Sequence, residues 1–217
     1  GGFQIGELAK LYFKGGIEIE SLDHGESVRA TTDLLSQKDV IIYEAAIQFE
    51  DFFIRVDIVK KTGNRIELIE VKSKSFDPGE DSFKGKRGGI TAEWEKYLYD
   101  VAFQTFVFRN AFPQFIVDPF LLLADKSSEC PTEGLNQKFF LKENATGRVR
   151  AVVKHDAITQ EDLSPQILIL KDVGPIVNEI ITPREFGEMA RSWAKAYKED
   201  VKIPAKLSSA CKKCQFY

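Results

Sequence analysis

Residues 55–75 of the chain, RVDIVKKTGNRIELIEVKSKS, contain two apolar strands separated by a tight turn. The Gly63-Asn64 pair predicts a two-residue hairpin loop, because Gly and Asn tolerate the positive φ that such loops require. With this loop, Thr62 pairs with Arg65. The register of the whole hairpin follows from that pair, since each step outwards along one strand is matched by a step along the other.

This register brings acidic side chains together. Counting outwards from the turn places Asp57 directly opposite Glu70, with their Cβ atoms about 4.5–5.5 Å apart. Because side chains alternate along a strand, Lys72 is expected on the same face, beside Glu70. The opposite face carries four apolar side chains and is predicted to face the core: Val56, Ile58, Ile69 and Val71.

The paired acids call for a compensating charge. Two like charges at this separation repel by roughly 1 kcal/mol in water and about 3 kcal/mol at an effective dielectric constant of 20. Mg²⁺ binds carboxylate oxygens and keeps waters that a phosphate can displace, so Asp57 and Glu70 suit such a cation. Lys72 would orient and help activate the attacking water, or hold the scissile phosphate. The alternative is a surface hairpin whose exposed ion pairs contribute roughly a few tenths of a kcal/mol.

Length and charge narrow the setting. The 217 residues suit a single domain over 1–217, and an ordinary apolar fraction with 17 Phe indicates a packed globular protein. No apolar run approaches the ~20 residues of a membrane span, so no membrane partner and a cytoplasmic location are expected. The net charge of −3 means that a polyanion must be met locally, by a patch or a metal. The abrupt helical start suggests a fragment of a longer protein.

The pattern along the chain predicts an α/β (α+β) fold with mixed elements. Helices are predicted over 3–16, 28–39, 91–113 and 182–200. Besides the hairpin, strands are predicted over 40–52, 115–125, 148–155 and 166–172. The last helix is expected to begin in a capping box formed by Thr182 and Glu185, with Pro183 at its first position.

Two further segments carry polar groups that suit a phosphate site. The Gly-rich segment 76–90 follows the Glu70 strand, and its Lys84, Lys86 and Arg87 would contact phosphates from a mobile flap. A solvated disordered loop is the alternative. On the long helix, Lys96, Asp100 and Gln104 recur at i, i+4, and Tyr97 beside them is a candidate for contact with the substrate. Gln104 is expected to be buried and would then need a hydrogen-bond partner.

The order of Asp57, Glu70-Val71-Lys72 and a helix with Gln104 resembles the PD-(D/E)XK nuclease superfamily, in its RecB-like branch. The resemblance covers roughly residues 5–124. It implies a restriction-endonuclease-like core, a mixed central sheet flanked by helices. It also implies that Asp57 and Glu70 bind Mg²⁺ or Mn²⁺, that Lys72 assists the attacking water, and that Gln104 lies beside the phosphate or a water.

The resemblance also implies an acid on the N-terminal helix. Glu7 matches that position as a metal ligand, and Glu44 is a second candidate near the substrate. Family members often carry a Tyr about one turn after the Gln, whereas this chain has Phe106, Phe108 and Arg109 there. Arg109 is therefore a candidate for the contact with phosphate.

The segment 205–217 contains the C-x-x-C pair Cys211 and Cys214. Two thiolates supply half of a Zn²⁺ or iron–sulfur site, and an unliganded reduced pair is the alternative. The tail is similar to the start of the cysteine-rich tails of RecB-like nucleases, including CRISPR-associated ones, and of bacterial domains of unknown function. The resemblance thus implies an iron–sulfur cluster or Zn²⁺ in a full-length protein.

Together these features predict a Mg²⁺- or Mn²⁺-dependent deoxyribonuclease, with DNA as its partner and a helicase or CRISPR-type protein as a further partner. A catalytically silent module that binds nucleic acid or protein is the alternative. A structural zinc or iron–sulfur domain is a third interpretation. The sequence leaves the oligomeric state open.

Overall fold

The computed structural model of the chain describes residues 2–143, 149–153 and 158–204. Its α-helices are α1 Gly2–Tyr12, α2 His24–Leu35, α3 Glu95–Ala111, α4 Gly174–Ile181 and α5 Arg184–Lys198. Its strands are β1 Ile17–Glu18, β2 Asp39–Phe49, β3 Phe52–Thr62, β4 Arg65–Phe76, β5 Ile116–Asp125, β6 Phe139–Glu143, β7 Val149–Val153 and β8 Leu168–Asp172. The mixed α/β class is confirmed. Within these ranges, no helix combines the length and the apolar character needed to cross a bilayer.

Six strands form a mixed sheet in the order β1-β2-β3-β4-β5-β8. The strands β2, β3 and β4 form an antiparallel meander, after which α3 crosses over so that β5 runs parallel to β4. The outer strand β1 is parallel to β2, and β8 is antiparallel to β5. The strands β6 and β7 pair separately as a small antiparallel ribbon.

The predicted hairpin register is confirmed. Thr62 pairs with Arg65, and the ladder between β3 and β4 continues outwards to the pair of Ile58 and Ile69. Gly63 adopts a φ of 59°, as the turn requires. Asp57 and Glu70 are the next residues outwards, one step beyond the last paired position.

Apolar residues cover both faces of the sheet. The larger hydrophobic cluster contains Leu68 and joins the sheet to α2, α3, α4 and α5. The smaller cluster contains Ile69 and joins the sheet to α1 and to segments of the chain that lie outside the six-stranded sheet. Because neighbouring strand residues point to opposite faces, α1 and α3 lie on opposite sides of the sheet.

The alternation of side chains inverts in the middle of β2 and β3. Ile42 and Ala45 both belong to the larger cluster, although three positions separate them and regular pleating would place them on opposite faces. Between them, Glu44 has a φ of 56°. A left-handed residue rotates the following peptide and changes which face the later side chains reach.

The inversion corrects the predicted face of one residue. Val56 belongs to the larger cluster, whereas Ile58 and Ile69 belong to the smaller one, with Val71 packed against it. The expectation that all four share a face was therefore wrong for Val56, because β3 follows the distortion of its partner at Glu44.

The capping box predicted at Thr182 was also wrong. Residues 174–181, which are mostly apolar, form a separate helix, α4, with Pro175 in its first turn. Thr182 closes that helix, and its N–H donates to the carbonyl of Asn178. The last helix starts at Arg184, and no side chain caps its first turn.

The positive φ at Glu44 predicts an unusual response to substitution. A non-Gly residue in this conformation is strained by about 1–2 kcal/mol. We expect Glu44→Gly to be more stable than Glu44→Ala by about 0.5–1 kcal/mol, since both variants lose the same side chain and Gly is unstrained. Urea unfolding gives both free energies. The same pair of substitutions at Gln48, an exposed position of β2, should show the opposite order, and a lower stability of Glu44→Gly would contradict the assignment.

Candidate functional site

The sheet divides at the acidic pair. The ladder between β3 and β4 ends at Ile58 and Ile69, whereas β3 pairs with β2 again from Val56 to Phe52, and β4 pairs with β5 as far as Phe76, with a register shift between Lys72 and Ser75. Asp57 and Glu70 therefore lie at the point where the two strands separate. The backbone N–H of Val71 donates to Oδ2 of Asp57 at 2.7 Å, which bridges the strands at this point.

Helix α3 completes a cluster of polar side chains around Glu70. Lys72 Nζ lies 2.6 Å from Glu70 Oε1 and 2.8 Å from Asp100 Oδ2. Gln104 Nε2 donates to Glu70 Oε2 at 2.8 Å and to Asp100 Oδ1 at 3.3 Å. The structure thus brings together Asp57, Glu70, Lys72 and Gln104, the four residues with predicted catalytic roles.

The acids of the cluster are held in a poorly solvated environment. Glu70 is 5% exposed, and burial raises its pKa above the ordinary Glu value. The nearby Lys72 ammonium opposes this rise in pKa but does not cancel it. Burial also raises the pKa of Asp57 well above its ordinary value, and the Glu70 and Glu44 carboxylates add to that rise. Burial is the largest cause of both raised pKa values, because a poorly solvated site disfavours the charged form of a carboxyl group.

The ammonium of Lys72 is stabilised in its charged form. Its partial burial would lower the pKa, but the Glu70 and Asp100 carboxylates outweigh burial and raise the pKa above the ordinary lysine value. A protonated Lys72 donates hydrogen bonds and attracts negative charge. It is thus suited to hold a phosphate or orient a water, and not to remove a proton.

The donor set fits a hard divalent cation. Asp57 and Glu70 supply the carboxylate oxygens that Mg²⁺ and Mn²⁺ prefer, and a cation beside them would favour the charged form of both groups. Oε1 of Gln104 is buried and accepts no hydrogen bond from the described residues, so the site also offers an oxygen acceptor. Within the described ranges, no three Asp, Glu, His or Cys side chains are already arranged as a metal site. Rearrangement of Glu70, whose oxygens both accept hydrogen bonds, would be part of binding.

The structure places the two further acidic candidates differently. Glu44 lies on β2 across from Asp57 and acts electrostatically on it. Glu7 lies on α1, where it pairs with Lys10 at 2.8 Å, and Lys10 in turn pairs with Glu18. The observed partner of the Glu7 carboxylate is thus Lys10 of the same helix. The metal-ligand role of Glu7 stays a prediction.

The three basic side chains of the segment 76–90 that are predicted to contact phosphate have different surroundings. Phe83 is buried against Phe76 and Trp94, which anchors the segment next to the N-terminus of α3. Lys84 is held by Glu179 of α4 at 2.6 Å. Lys86 and Arg87 are exposed. The contact of these residues with phosphate stays a prediction.

The candidates on α3 outside the cluster have structural contacts. Tyr97 packs beside Trp94, with Lys96 over its ring. Arg109 donates to the carbonyl of Val117 and to Asn178, both at 2.7 Å, and so ties α3 to β5 and α4. Val117 pairs with Ile66, four positions along β4 from Glu70. Arg109 is thus set away from the cluster.

The cysteine tail lies outside the described residues, as do Cys211 and Cys214 and any metal they would bind. Cys130, which the structure does describe, is exposed and donates through its thiol to the carbonyl of Thr132.

Sequence reasoning missed the role of Asp100 as a member of the cluster. Its spacing from Gln104 was a sufficient signal for a shared helix edge, but the contact with Lys72 depends on how α3 packs against β4. Only the tertiary structure supplies that contact.

No protein-family model, curated protein or solved structure matches the chain.

The raised pKa of Asp57 predicts a specific dependence of stability on pH. The folded state binds the Asp57 proton more tightly than the unfolded state, so stability is lost as pH rises from the ordinary Asp range, about 3.9, through the folded-state pKa. We expect Asp57→Asn, which keeps an oxygen for the Val71 N–H, to be more stable than the wild type by about 1–3 kcal/mol at neutral pH without divalent cations.

Urea unfolding in EDTA between about pH 4 and pH 8 measures this difference, because the stability loss is expected as pH rises above the ordinary Asp pKa of about 3.9. Glu67→Gln is the control, because it removes an acid of the same hairpin that forms a partly exposed pair with Lys60. Equal pH slopes in Asp57→Asn and the wild type would contradict the assignment.

Proposed function

We propose that the chain is a Mg²⁺- or Mn²⁺-dependent nuclease domain that hydrolyses phosphodiester bonds in DNA. The observation that carries the proposal is the single cluster formed by Asp57, Glu70, Lys72 and Gln104 where β3 and β4 separate. The ammonium of Lys72 and the amide of Gln104 both hydrogen-bond to Glu70, and the Asp57 carboxylate interacts electrostatically with Glu70 and Lys72, so the group is suited to a metal and a phosphate together. The proposed fold is a restriction-endonuclease-like core, with the meander β2-β3-β4, the crossover helix α3 and the parallel strand β5 as its centre.

The roles of the residues follow from their charges. Asp57 and Glu70 would hold the cation, which when bound lowers the pKa of water and offsets negative charge on the phosphate. Lys72, protonated beside two acids, would hold a phosphate oxygen or orient the attacking water. Gln104 would orient water through its unpartnered Oε1, while hydrogen bonds from its amide N–H hold the side chain in place. Glu7 and the pair Lys86 and Arg87 are proposed as outer contacts to the metal and to DNA.

One observation favours a second function. Both oxygens of Glu70 already accept hydrogen bonds within the protein, from Lys72 and Gln104, so the cluster is partly satisfied without a cation. A catalytically silent module with the same fold, which binds nucleic acid or protein, is expected to have its Glu70 hydrogen bonds satisfied within the protein in this way. Metal binding distinguishes the two functions.

Cleavage of labelled single-stranded and double-stranded DNA with Mg²⁺ or Mn²⁺ tests the proposal. We expect the wild type to cleave, and Lys72→Ala to lose activity by roughly 10²-fold or more, because the ammonium would act where charge develops. Lys60→Ala is the matched control, since Lys60 lies on the same hairpin and pairs with Glu67 away from the cluster. Equal cleavage by the wild type and Lys72→Ala would reject the role of Lys72.

Titration calorimetry with Mn²⁺ tests the metal ligands independently of cleavage. The wild type should bind, and Glu70→Ala should lose the site, because it removes a carboxylate of the pair. Glu67→Ala should bind like the wild type, since Glu67 belongs to the tip of the hairpin. Absence of binding heat in a folded wild type would favour the silent module.

A further inference from the structure

Glu70 is the most heavily engaged acid of the cluster. Its Oε1 accepts from the Lys72 ammonium and its Oε2 from the Gln104 amide. A cation bound to either oxygen would approach Lys72, and like charges at such distances repel strongly in a partly buried site. Lys72 and Gln104 therefore need another acceptor whenever Glu70 is used as a ligand, because a buried or partly buried donor left without a partner is destabilising.

Asp100 is placed to be that acceptor. Its Oδ2 lies 2.8 Å from Lys72 Nζ, and its Oδ1 lies 3.3 Å from Gln104 Nε2. Each donor thus already contacts both Glu70 and Asp100. The transfer of either donor from one acid to the other requires only a small movement of its side chain.

The surroundings of the two acids differ in a way that suits this exchange. The side chain of Asp100 is 41% exposed, whereas that of Glu70 is 7% exposed. Water reaches Asp100, so it can carry its charge at little desolvation cost when Lys72 is elsewhere. Its position one helical turn before Gln104 on α3 keeps the two side chains on one edge of the helix.

We propose that Asp100 is a positioning residue that takes the Lys72 ammonium and the Gln104 amide when Glu70 serves as a metal ligand. This inference rests on the proposed nuclease function. Asp100 would hold Lys72 and Gln104 in place both when Glu70 accepts their hydrogen bonds and when Glu70 binds the metal. Lys72 would then stay directed at the phosphate and Gln104 at the water.

The test compares three variants on the full chain. Asp100→Ala removes the acceptor, Asp100→Asn keeps an oxygen acceptor but removes the charge, and Glu95→Gln removes an exposed acid from the same helix as a control. Calorimetry with Mn²⁺ gives the metal affinity, and cleavage of labelled DNA gives kcat and KM. Circular dichroism checks that each variant is folded.

We expect Asp100→Ala to weaken Mn²⁺ binding by roughly 10-fold and to lower kcat by roughly 10-fold or more, in the range for residues that orient metal ligands. The KM for DNA should stay within about 2-fold of the wild type, because a positioning residue does not contact the substrate. Asp100→Asn should retain part of both properties, and Glu95→Gln should match the wild type. A role in stability alone would not lower kcat and metal affinity in a folded variant.

The outcomes separate this inference from the function on which it rests. A wild type that binds Mn²⁺ and cleaves DNA, with Asp100→Ala equal to Glu95→Gln in metal affinity and kcat, overturns the role of Asp100 alone. A folded wild type that neither binds Mn²⁺ nor cleaves overturns both proposals. If Asp100→Ala does not fold, Asp100→Asn decides, and its equality with Glu95→Gln overturns the role of Asp100.

Discussion

The juxtaposition of Asp57 and Glu70 is the constraint around which the rest of the site is arranged. The Gly63-Asn64 turn fixes the hairpin register, and the register sets the two acids against one another where β3 and β4 separate. Negative charge at a poorly solvated position must be balanced. In this structure the balance comes from the Lys72 ammonium, the Gln104 amide and the Val71 N–H.

The position of α3 depends on aromatic packing that lies away from the polar cluster. Phe103 meets Phe52 at the start of β3 edge to face, with ring centroids 5.4 Å apart, and Trp94 is fully enclosed beside Phe76. These contacts hold the helix against both arms of the divided sheet. They thereby fix the position along β4 at which Asp100 and Gln104 contact that strand.

The sequence predicted the parts of the structure that depend on local geometry. The turn and the register followed from Gly63-Asn64, and the long helix was placed within a few residues of its observed ends, Glu95–Ala111. The contact between Asp100 and Lys72 was not predictable, because it depends on packing between residues that are 28 positions apart. The left-handed Glu44 was equally hidden, since Glu is rarely found in that conformation and nothing nearby in the chain marks it.

The same Glu44 gives β2 and β3 a property that regular strands lack. Before Glu44 the even-numbered residues of β2, Val40 and Ile42, face the larger cluster. After Glu44 the odd-numbered residues, Ala45 and Ile47, face it, and β3 changes in the same way at Asp57. A slide of β2 by one residue would move the distortion away from its partner position and misplace both halves at once. The inversion therefore restricts β2 and β3 to one register. A single-residue insertion or deletion in either strand would disturb the acidic pair as well as the core.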